Sequence, residues 1–191
     1  VMRALANAQQ SLSGGTTSLR DLGGRDFLEF AVRDACNSGE QFGPTIRAAG
    51  QIICMTGGHG NQHGRVADGP DEVVKAVREQ VHAGSDVIKL MATGGVMTPG
   101  VNPEDAHYSE NELRVGVEEG HRFHRTCASH AQGSAGILNA VRAGMDSIEH
   151  GIFMTDECVE LMLSKGTYLV PTLSALLNIL VNADQGIPDL S

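Results

Sequence analysis

Tryptophan is absent from this 191-residue sequence and aromatic residues make up only 4% of it, whereas glycine occurs 24 times. A composition rich in glycine and poor in aromatic residues favours α/β units with tight turns over a β-sandwich. No apolar run reaches the roughly 18 residues that a transmembrane helix needs, so we expect no membrane span. The net charge is −9 and no cluster of Lys and Arg forms a basic stripe, so nucleic acid is not an expected partner.

Cysteine is scarce as well, and its four positions are widely spaced: Cys36, Cys54, Cys127 and Cys158. No CxxC pair occurs, which argues against a zinc ribbon and against a disulfide framework. We interpret the four as buried free thiols of a protein from a reducing compartment. Residues 1–10 lack the layout of a signal peptide, so we expect a cytoplasmic protein unless an export signal precedes the sequence.

Short apolar runs alternate with helical patterns along the whole sequence. The apolar runs predict six strands, at residues 16–22, within 45–55 with 51–55 favoured, and at 86–92, 126–129, 146–149 and 167–171. Helices are predicted at residues 1–12, 26–37, 71–82, 109–123, 134–143, 155–164 and 172–181. Ser109 and Glu112 have the spacing of a capping box at the start of the fourth helix. Regular βα alternation predicts a parallel sheet with right-handed crossover connections.

Two α/β architectures are compatible with this alternation, an open doubly wound sheet and a closed barrel. An open sheet typically carries a glycine-rich phosphate loop after its first strand, and residues 22–25 (LGGR) do not have the GxGxxG spacing. A barrel places its chemistry at the C-terminal ends of its strands. Polar side chains lie in or after the predicted strands at Asp21, His59, Lys89, His130, His150 and Thr172. This distribution favours the barrel, in which all of them would face one rim.

Lys89 is the most informative of these residues, because it lies among apolar neighbours on a strand predicted to be buried on both faces. A bare ammonium group is unfavourable there, and burial would lower its pKa. Three interpretations remain open. Lys89 could be a structural lysine paired with a carboxylate such as Glu149, a Schiff-base amine, or a lysine carboxylated by CO2 that bridges two metal ions.

His130 and His150 help to discriminate between these interpretations, since each is predicted to occupy the end of its strand. Neighbouring strands run ~4.8 Å apart, so equivalent end positions can bring two imidazoles onto one ion. Either histidine alone would more often be an ordinary core or rim residue. Two of them at matched strand ends, one strand after a buried lysine, favour a metal site, which a Schiff-base aldolase would not need.

Four segments carry a resemblance to a known family: residues 15–21 (GTTSLRD), 87–95 (VIKLMATGG), 128–133 (ASHAQG) and 143–151 (AGMDSIEHG). Over nearly its whole length the sequence resembles the amidohydrolase superfamily, and within it the imidazolonepropionase-like and Xaa-Pro-dipeptidase-like proteins. The resemblance implies a TIM-type (β/α)8 barrel with a binuclear metal centre, usually of zinc. It also implies Lys89 as the carboxylated bridging ligand, with His130 and His150 as ligands of the second metal.

Two parts of the family pattern are missing from the sequence. The His-x-His pair of the first barrel strand does not occur, since His59 and His63 are four residues apart on a loop. The Asp that follows the eighth strand and acts as general base is expected outside this chain, so no catalytic residue is assigned. We expect residues 1–191 to be a catalytic barrel segment of about six βα units, approximately strands two to seven, without the first and last strands and the small β domain.

The predicted function is hydrolysis of a C–N bond, in an amide, peptide or cyclic amide, by a metal-bound hydroxide. The expected cofactors are a divalent metal, most simply two Zn ions, and the CO2-derived carboxylate on Lys89. A small molecule such as a dipeptide or amide is the expected substrate, and homo-oligomer formation stays open. The alternatives are a Schiff-base lyase that uses Lys89, and an inactive barrel fragment.

Four further residues are candidates for contact with the substrate: His59, His107, Tyr108 and Gln132. His59 follows a strand in a glycine-rich loop, and such loops approach ligands closely. His107 and Tyr108 lie in the long loop at residues 98–109, and long loops at this rim tend to be functional. Gln132 follows a predicted strand end. The alternatives are a solvent-exposed loop histidine at His59 and a tyrosine packed on the barrel at Tyr108.

Overall fold

Parallel strands and helices alternate through residues 1–181, the part of the chain that the computed structural model describes. The strands are β1 (Ser18–Asp21), β2 (Thr45–Ala48), β3 (Ile53–Cys54), β4 (Arg65–Val66), β5 (Val87–Met91), β6 (Thr126–Ala131), β7 (Ser147–His150) and β8 (Tyr168–Val170). The helices are α1 (Met2–Ser13), α2 (Leu28–Asn37), α3 (Gly69–Ala83), α4 (Glu110–Arg122), α5 (Ser134–Ala143), α6 (Asp156–Lys165) and α7 (Leu173–Val181). Each predicted helix is present, and the bounds of α5 coincide with the prediction.

The longer strands lie side by side in chain order. β1 pairs with β2, and a second sheet has the order β4-β3-β5-β6-β7-β8. The two sheets meet where the Asp86 N–H donates to the Ala48 carbonyl (2.8 Å) and the Ala48 N–H donates to the Asp86 carboxylate (3.0 Å). The order β1, β2, β5, β6, β7, β8, with a helix between successive strands, is that of a partial (β/α)8 barrel. The predicted fold class is therefore confirmed.

One predicted strand is displaced along the sequence. The pattern favoured residues 51–55, but the barrel strand is Thr45–Ala48, and only the two-residue strand Ile53–Cys54 follows it. Gly50 lies between them with a φ of 78°, in the left-handed region that interrupts an extended strand. The prediction at 51–55 was wrong because the apolar residues there belong to β3, which forms a short parallel pair with β4 beside β5.

The barrel strands have an inner face, toward the barrel axis, and an outer face, toward the helices. Register pairing gives two rows of residues on the inner face, a lower row of Lys89, Ala128 and Ser147 and an upper row of Met91, His130 and Glu149. The Arg20 side chain of β1 reaches Ser147 of β7 at 2.9 Å. Since these strands are not neighbours, the contact identifies this face as the concave one. Residues of the opposite parity, such as Ile88 and Ile148, are fully buried in the core shared with the helices.

Helix α4 shows how the sequence sets the packing around the barrel. The Ser109 hydroxyl accepts from the Glu112 N–H (3.3 Å) while the Glu112 carboxylate accepts from the Ser109 N–H (2.9 Å). The predicted capping box is thus confirmed. Gly116 allows close approach to β5, because a Cβ at this position would lie 3.0 Å from Leu90 Cδ2.

Two expectations from composition can be compared with the structure. All four cysteines are buried free thiols, as predicted. Among the helices within residues 1–181, none is long and apolar enough to cross a membrane.

Two aspartates, each directly before the first residue of a strand, join that strand to its neighbour. Asp86 donates its N–H to the Ala48 carbonyl and accepts the Ala48 N–H on its carboxylate. Asp146 does the same with Cys127, at 3.0 Å and 2.7 Å. We call these two pairs of bonds the aspartate brackets. They fix the register of β5 against β2 and of β7 against β6.

Candidate metal centre

Three histidine rings lie together at the rim where the strands end. His59 comes from the loop after β3, His130 from the upper row of β6, and His150 from the end of β7. The His130 and His150 ring centroids are 4.7 Å apart, and those of His59 and His130 are 4.6 Å apart. The structure thus brings together the two strand-end histidines singled out in the sequence and adds a third.

One ring nitrogen of His130 is hydrogen-bonded, and the other has no hydrogen bond to any residue that the structure describes. Its Nε2 donates to the Gly94 carbonyl at 2.6 Å, and a carbonyl can only accept. The proton is therefore on Nε2, and Nδ1 carries the lone pair. Burial lowers the pKa of His130 to about 2, despite an opposing contribution from the Gly94 hydrogen bond, so the ring is uncharged at neutral pH.

His150 reaches the inner side through an unusual backbone. In register it pairs with Ala131, so strand alternation would direct it outward with Ile148. The φ of His150 is 78° and that of Gly151 is 63°, so both residues have left-handed backbone conformations. Its Nδ1 then contacts Thr172 Oγ1 at 2.7 Å, which leaves Nε2 available. Left-handed backbone at a residue other than glycine is a strained conformation that tends to occur at functional sites.

The loop histidine His59 is oriented by a threonine from the next rim loop. Its Nδ1 lies 2.7 Å from Thr98 Oγ1, and its N–H donates to His107 Nδ1 at 3.5 Å. Burial, followed by the proximity of His107, lowers the pKa of His59 to about 4. Gly95 makes room for the ring, since a Cβ there would lie 2.5 Å from His59 Nε2. His59 and His107 are thus both at the rim, as expected from the sequence.

Lys89 lies on the lower row of the inner face and is only 5% exposed. Within residues 1–181 no hydrogen bond or ion pair involves its Nζ. Burial lowers the pKa of Lys89 to about 8, with Glu149 opposing the shift and Arg20 adding to it. A buried amine without a partner is the situation in which chemical modification or metal ligation becomes favourable.

The expected carboxylate partner of Lys89 is engaged elsewhere. Glu149 accepts from Arg20 Nη2 at 2.8 Å and from the Ser147 hydroxyl at 2.7 Å. The interpretation of Lys89 as half of a Lys89–Glu149 ion pair is therefore wrong for this structure. Arg20 was missed in the sequence, because its partner is 129 residues away and only the curvature of the barrel brings them together.

Two candidate substrate contacts have different positions. Tyr108 is fully buried in the core, and its hydroxyl donates to the Ala67 carbonyl at 2.7 Å, so it does not face the histidines. The expected contact of Tyr108 with the substrate is therefore corrected to a packing role, which its apolar neighbours explain. Gln132 is buried directly after β6, and its Oε1 accepts no hydrogen bond from the described residues. Its role at the site stays a prediction.

A second group of ligating atoms lies near the other end of the barrel, where those of His121, Cys127 and Asp146 are within 4.8 Å of one another. We interpret this group as an aspartate bracket and not as a metal site. Asp146 Oδ2 already accepts from the Cys127 N–H and lies 2.8 Å from His121 Nε2. Burial raises the pKa of the Cys127 thiol far above its usual range, so it keeps its proton. In the other bracket Arg33, which cannot ligate a metal, has the place of His121 beside Asp86.

The rim site suits a divalent cation better. Within residues 1–181 no hydrogen bond involves His130 Nδ1 or His150 Nε2, burial lowers the pKa of both rings, and each ring is oriented by a contact of its other nitrogen. Imidazoles fixed in this way by a carbonyl or hydroxyl are typical of metal ligands. An oxygen donor supplied on Lys89 would complete a mixed nitrogen and oxygen set of the kind that zinc accepts.

A family model described as the amidohydrolase family matches residues 2–190. The chain belongs to the amidohydrolase family. This confirms the resemblance inferred from the strand-end segments. Amidohydrolases are generally metal-dependent, in agreement with the donor set at the rim.

Relatives of known structure share the barrel as well as the sequence. Ochratoxinase of Aspergillus niger is 36% identical over 203 residues, which cover 93% of this amidohydrolase chain and 42% of that protein. The crystal structure of A. niger ochratoxinase superposes with a TM-score of 0.89 at 34% identity, over 98% of this chain and 48% of that one. A Xaa-Pro dipeptidase with methionine bound in its active site gives 0.86 at 35% identity, over 98% and 48%. The chain therefore spans less than half the length of these relatives.

Proposed function

We propose that this chain contributes Lys89, His130 and His150 as metal ligands to a hydrolase of C–N bonds in an amide, peptide or cyclic amide. One observation carries the proposal: two imidazoles with lowered pKa, whose ring centroids are 4.7 Å apart, lie above a buried lysine that has no ion-pair partner within residues 1–181. The names of the relatives, ochratoxinase and Xaa-Pro dipeptidase, support an amide or peptide bond as the target.

His130 and His150 would bind a metal through Nδ1 and Nε2, the nitrogens that their other contacts leave free. The Gly94 carbonyl and the Thr172 hydroxyl would then orient the two rings. Since both rings are already neutral, no proton has to leave before they can ligate.

Lys89 would act as a carbamate. Its neutral amine attacks the carbon of CO2, an N–C bond forms, one C–O π pair moves to oxygen, and the nitrogen releases one proton to water. The product is an anion with two oxygens, which divalent metals accept as ligands. The lowered pKa of Lys89 supports this step, because more of its amine is neutral near pH 7 than for an exposed lysine.

The proposed cofactors are two zinc ions. When bound, they would polarise the scissile carbonyl and lower the pKa of a water molecule. Around them, His59 and His107 could hydrogen-bond a small substrate as uncharged imidazoles, and Gln132 could do so through its unpartnered amide oxygen. The base that accepts the water proton is not assigned to any residue of this chain.

We extend the proposal to the arrangement and location of the chain. Its six barrel strands would be units two to seven of a complete (β/α)8 barrel, with the remaining ligands supplied by the other units. Four buried free thiols support a reducing, cytoplasmic location. The Schiff-base lyase alternative is not favoured, since family membership and the histidine pair both point to metal chemistry.

Metal analysis and carbon NMR test the proposal together. The chain is dialysed against zinc and analysed by mass spectrometry, and a second sample in 13C-labelled bicarbonate is examined for a carbamate signal. We expect Lys89→Met to lose the signal and most of the bound zinc, and His130→Gln to lose zinc. Lys75→Met, which changes an exposed lysine of α3, is the matched control and should retain both. Equal zinc content in the Lys89 and Lys75 variants, without a carbamate signal in any sample, would contradict the proposal.

A further inference from the structure

Arg20 crosses the concave side of the barrel from β1 to β7. Its Nη1 donates to the Ser147 hydroxyl at 2.9 Å and its Nη2 donates to Glu149 Oε1 at 2.8 Å. The Ser147 hydroxyl donates to the same Glu149 oxygen at 2.7 Å. The Arg20 side chain is 32% exposed, whereas that of Glu149 is only 4% exposed. The nearly buried carboxylate of Glu149 is therefore neutralised by an arginine that is itself partly exposed to solvent.

Lys89 is the competing cation on this face. It lies in the lower row, with only Ala128 between it and Ser147 in register. The alanine methyl group is too small to separate a flexible lysine side chain from Glu149. Glu149 also attracts the Lys89 ammonium group electrostatically, and Arg20 repels it.

We infer that Arg20 is a positioning residue: by pairing with Glu149 it keeps Lys89 out of an ion pair and leaves its amine available to act with the rim histidines. The inference rests on the proposed function, because it concerns how Lys89 becomes available as a ligand. Within residues 1–181 the side chain of Arg20 hydrogen-bonds to Ser147 and Glu149, and neither is a proposed metal ligand.

Removal of Arg20 should redirect Lys89. An uncompensated buried carboxylate is unfavourable, so Glu149 would recruit the nearest remaining cation. That cation is Lys89, whose flexible four-carbon stem lets its amine move toward the carboxylate beside Ser147. The Ser147 hydroxyl would still donate to Glu149, but it supplies no charge. The amine would then be held by Glu149 and could no longer act with the histidines on one ion.

Four variants of the whole chain test the positioning role of Arg20. The first readout is binding of Co2+ alone, followed by its absorption spectrum. The second readout is the carbamate signal in 13C-bicarbonate NMR. Arg20→Gln should bind Co2+ about tenfold more weakly, a loss typical of changing a residue that supports a metal ligand, and lose most of the carbamate signal. Arg20→Gln combined with Glu149→Gln should recover both, because the competing carboxylate is gone. Glu149→Gln alone should bind at least as well as the unaltered chain. Arg33→Gln, which removes a comparable arginine–carboxylate contact at the other end of the barrel, should change neither.

The outcomes separate the two proposals. If the unaltered chain neither binds Co2+ nor shows the carbamate signal, the proposed function fails. If it does both and Arg20→Gln matches it, only the role of Arg20 is refuted. Weak Co2+ binding by the double variant would show that Arg20 is needed for the barrel structure itself. That result would also refute its role in keeping Lys89 away from Glu149. Circular dichroism verifies that each variant is folded. If Arg20→Gln does not fold, the inference is overturned when Glu149→Gln alone binds Co2+ tenfold more weakly than the unaltered chain.

Discussion

Acidification of the metal-free chain should reveal the neutral state of His130. Burial lowers its pKa from 6.5 to about 2. Between these values the unfolded chain binds a proton that the folded chain does not, so the free energy of unfolding falls as the pH falls. The contribution of His130 is fully present above pH 6.5 and declines progressively below it.

The size of the effect follows from these two values. At pH 5 an unfolded histidine with a pKa of 6.5 is almost fully protonated, and the folded ring is not. The difference corresponds to about 2 kcal/mol at pH 5 and nearly nothing at pH 7.5. This free-energy difference at pH 5 hardly depends on the pKa of His130 in the folded chain, provided that this pKa lies well below 5. Against a typical stability of about 5–15 kcal/mol, the change is large enough to measure.

Urea unfolding followed by circular dichroism, in the presence of EDTA, measures it. The unaltered chain and His130→Gln are each compared at pH 7.5 and pH 5. We expect the variant to lose about 2 kcal/mol less than the unaltered chain over this interval, whatever its stability at pH 7.5. His82→Gln, which changes an exposed histidine of α3, should follow the unaltered chain. Equal losses in the unaltered chain and His130→Gln would refute the assignment of His130 as a buried neutral ring.

Three substitutions test other contacts of the site. Gly95→Ala places a methyl group against the His59 ring, so we expect overpacking of about 1–3 kcal/mol in urea unfolding; an unchanged midpoint would contradict this. Thr172→Val removes the oxygen that orients His150, and Co2+ affinity in equilibrium dialysis should fall roughly 10- to 100-fold; unchanged affinity would disprove the orienting role. Tyr108→Phe removes a buried hydrogen bond, so the free energy of unfolding should fall by about 1–2 kcal/mol while Co2+ affinity is retained. A lower Co2+ affinity would contradict the packing role of Tyr108.

Local patterns predicted most of the fold, because many of its determinants are short-range. The capping box at Ser109 and the bounds of α5 follow from side-chain chemistry within one helix. β2 was misplaced because Gly50, a single left-handed residue, ends the barrel strand before a second apolar run begins. Apolar content alone cannot distinguish these two runs.

The site was predictable only in part, for a different reason. Parallel strands end at one rim, so the proximity of His130 and His150 follows from strand order alone. The direction of the His150 ring does not, since strand alternation would place it outside and only its left-handed backbone turns it inward. Arg20 and Thr98 could not be assigned either, because their contacts join parts of the chain whose proximity depends on barrel curvature and on loop paths.

The aspartate brackets have a consequence for the order in which the barrel can assemble. The bonds of Asp146 span 19 residues and those of Asp86 span 38, so each closes one unit, the chain between two neighbouring barrel strands. Loop-closure entropy grows slowly with length, and the doubling from one unit to the other adds only about 0.6 kcal/mol. Each unit can therefore fix its own register before the barrel curves. The long-range Arg20 contact can form only afterwards, once the concave side exists.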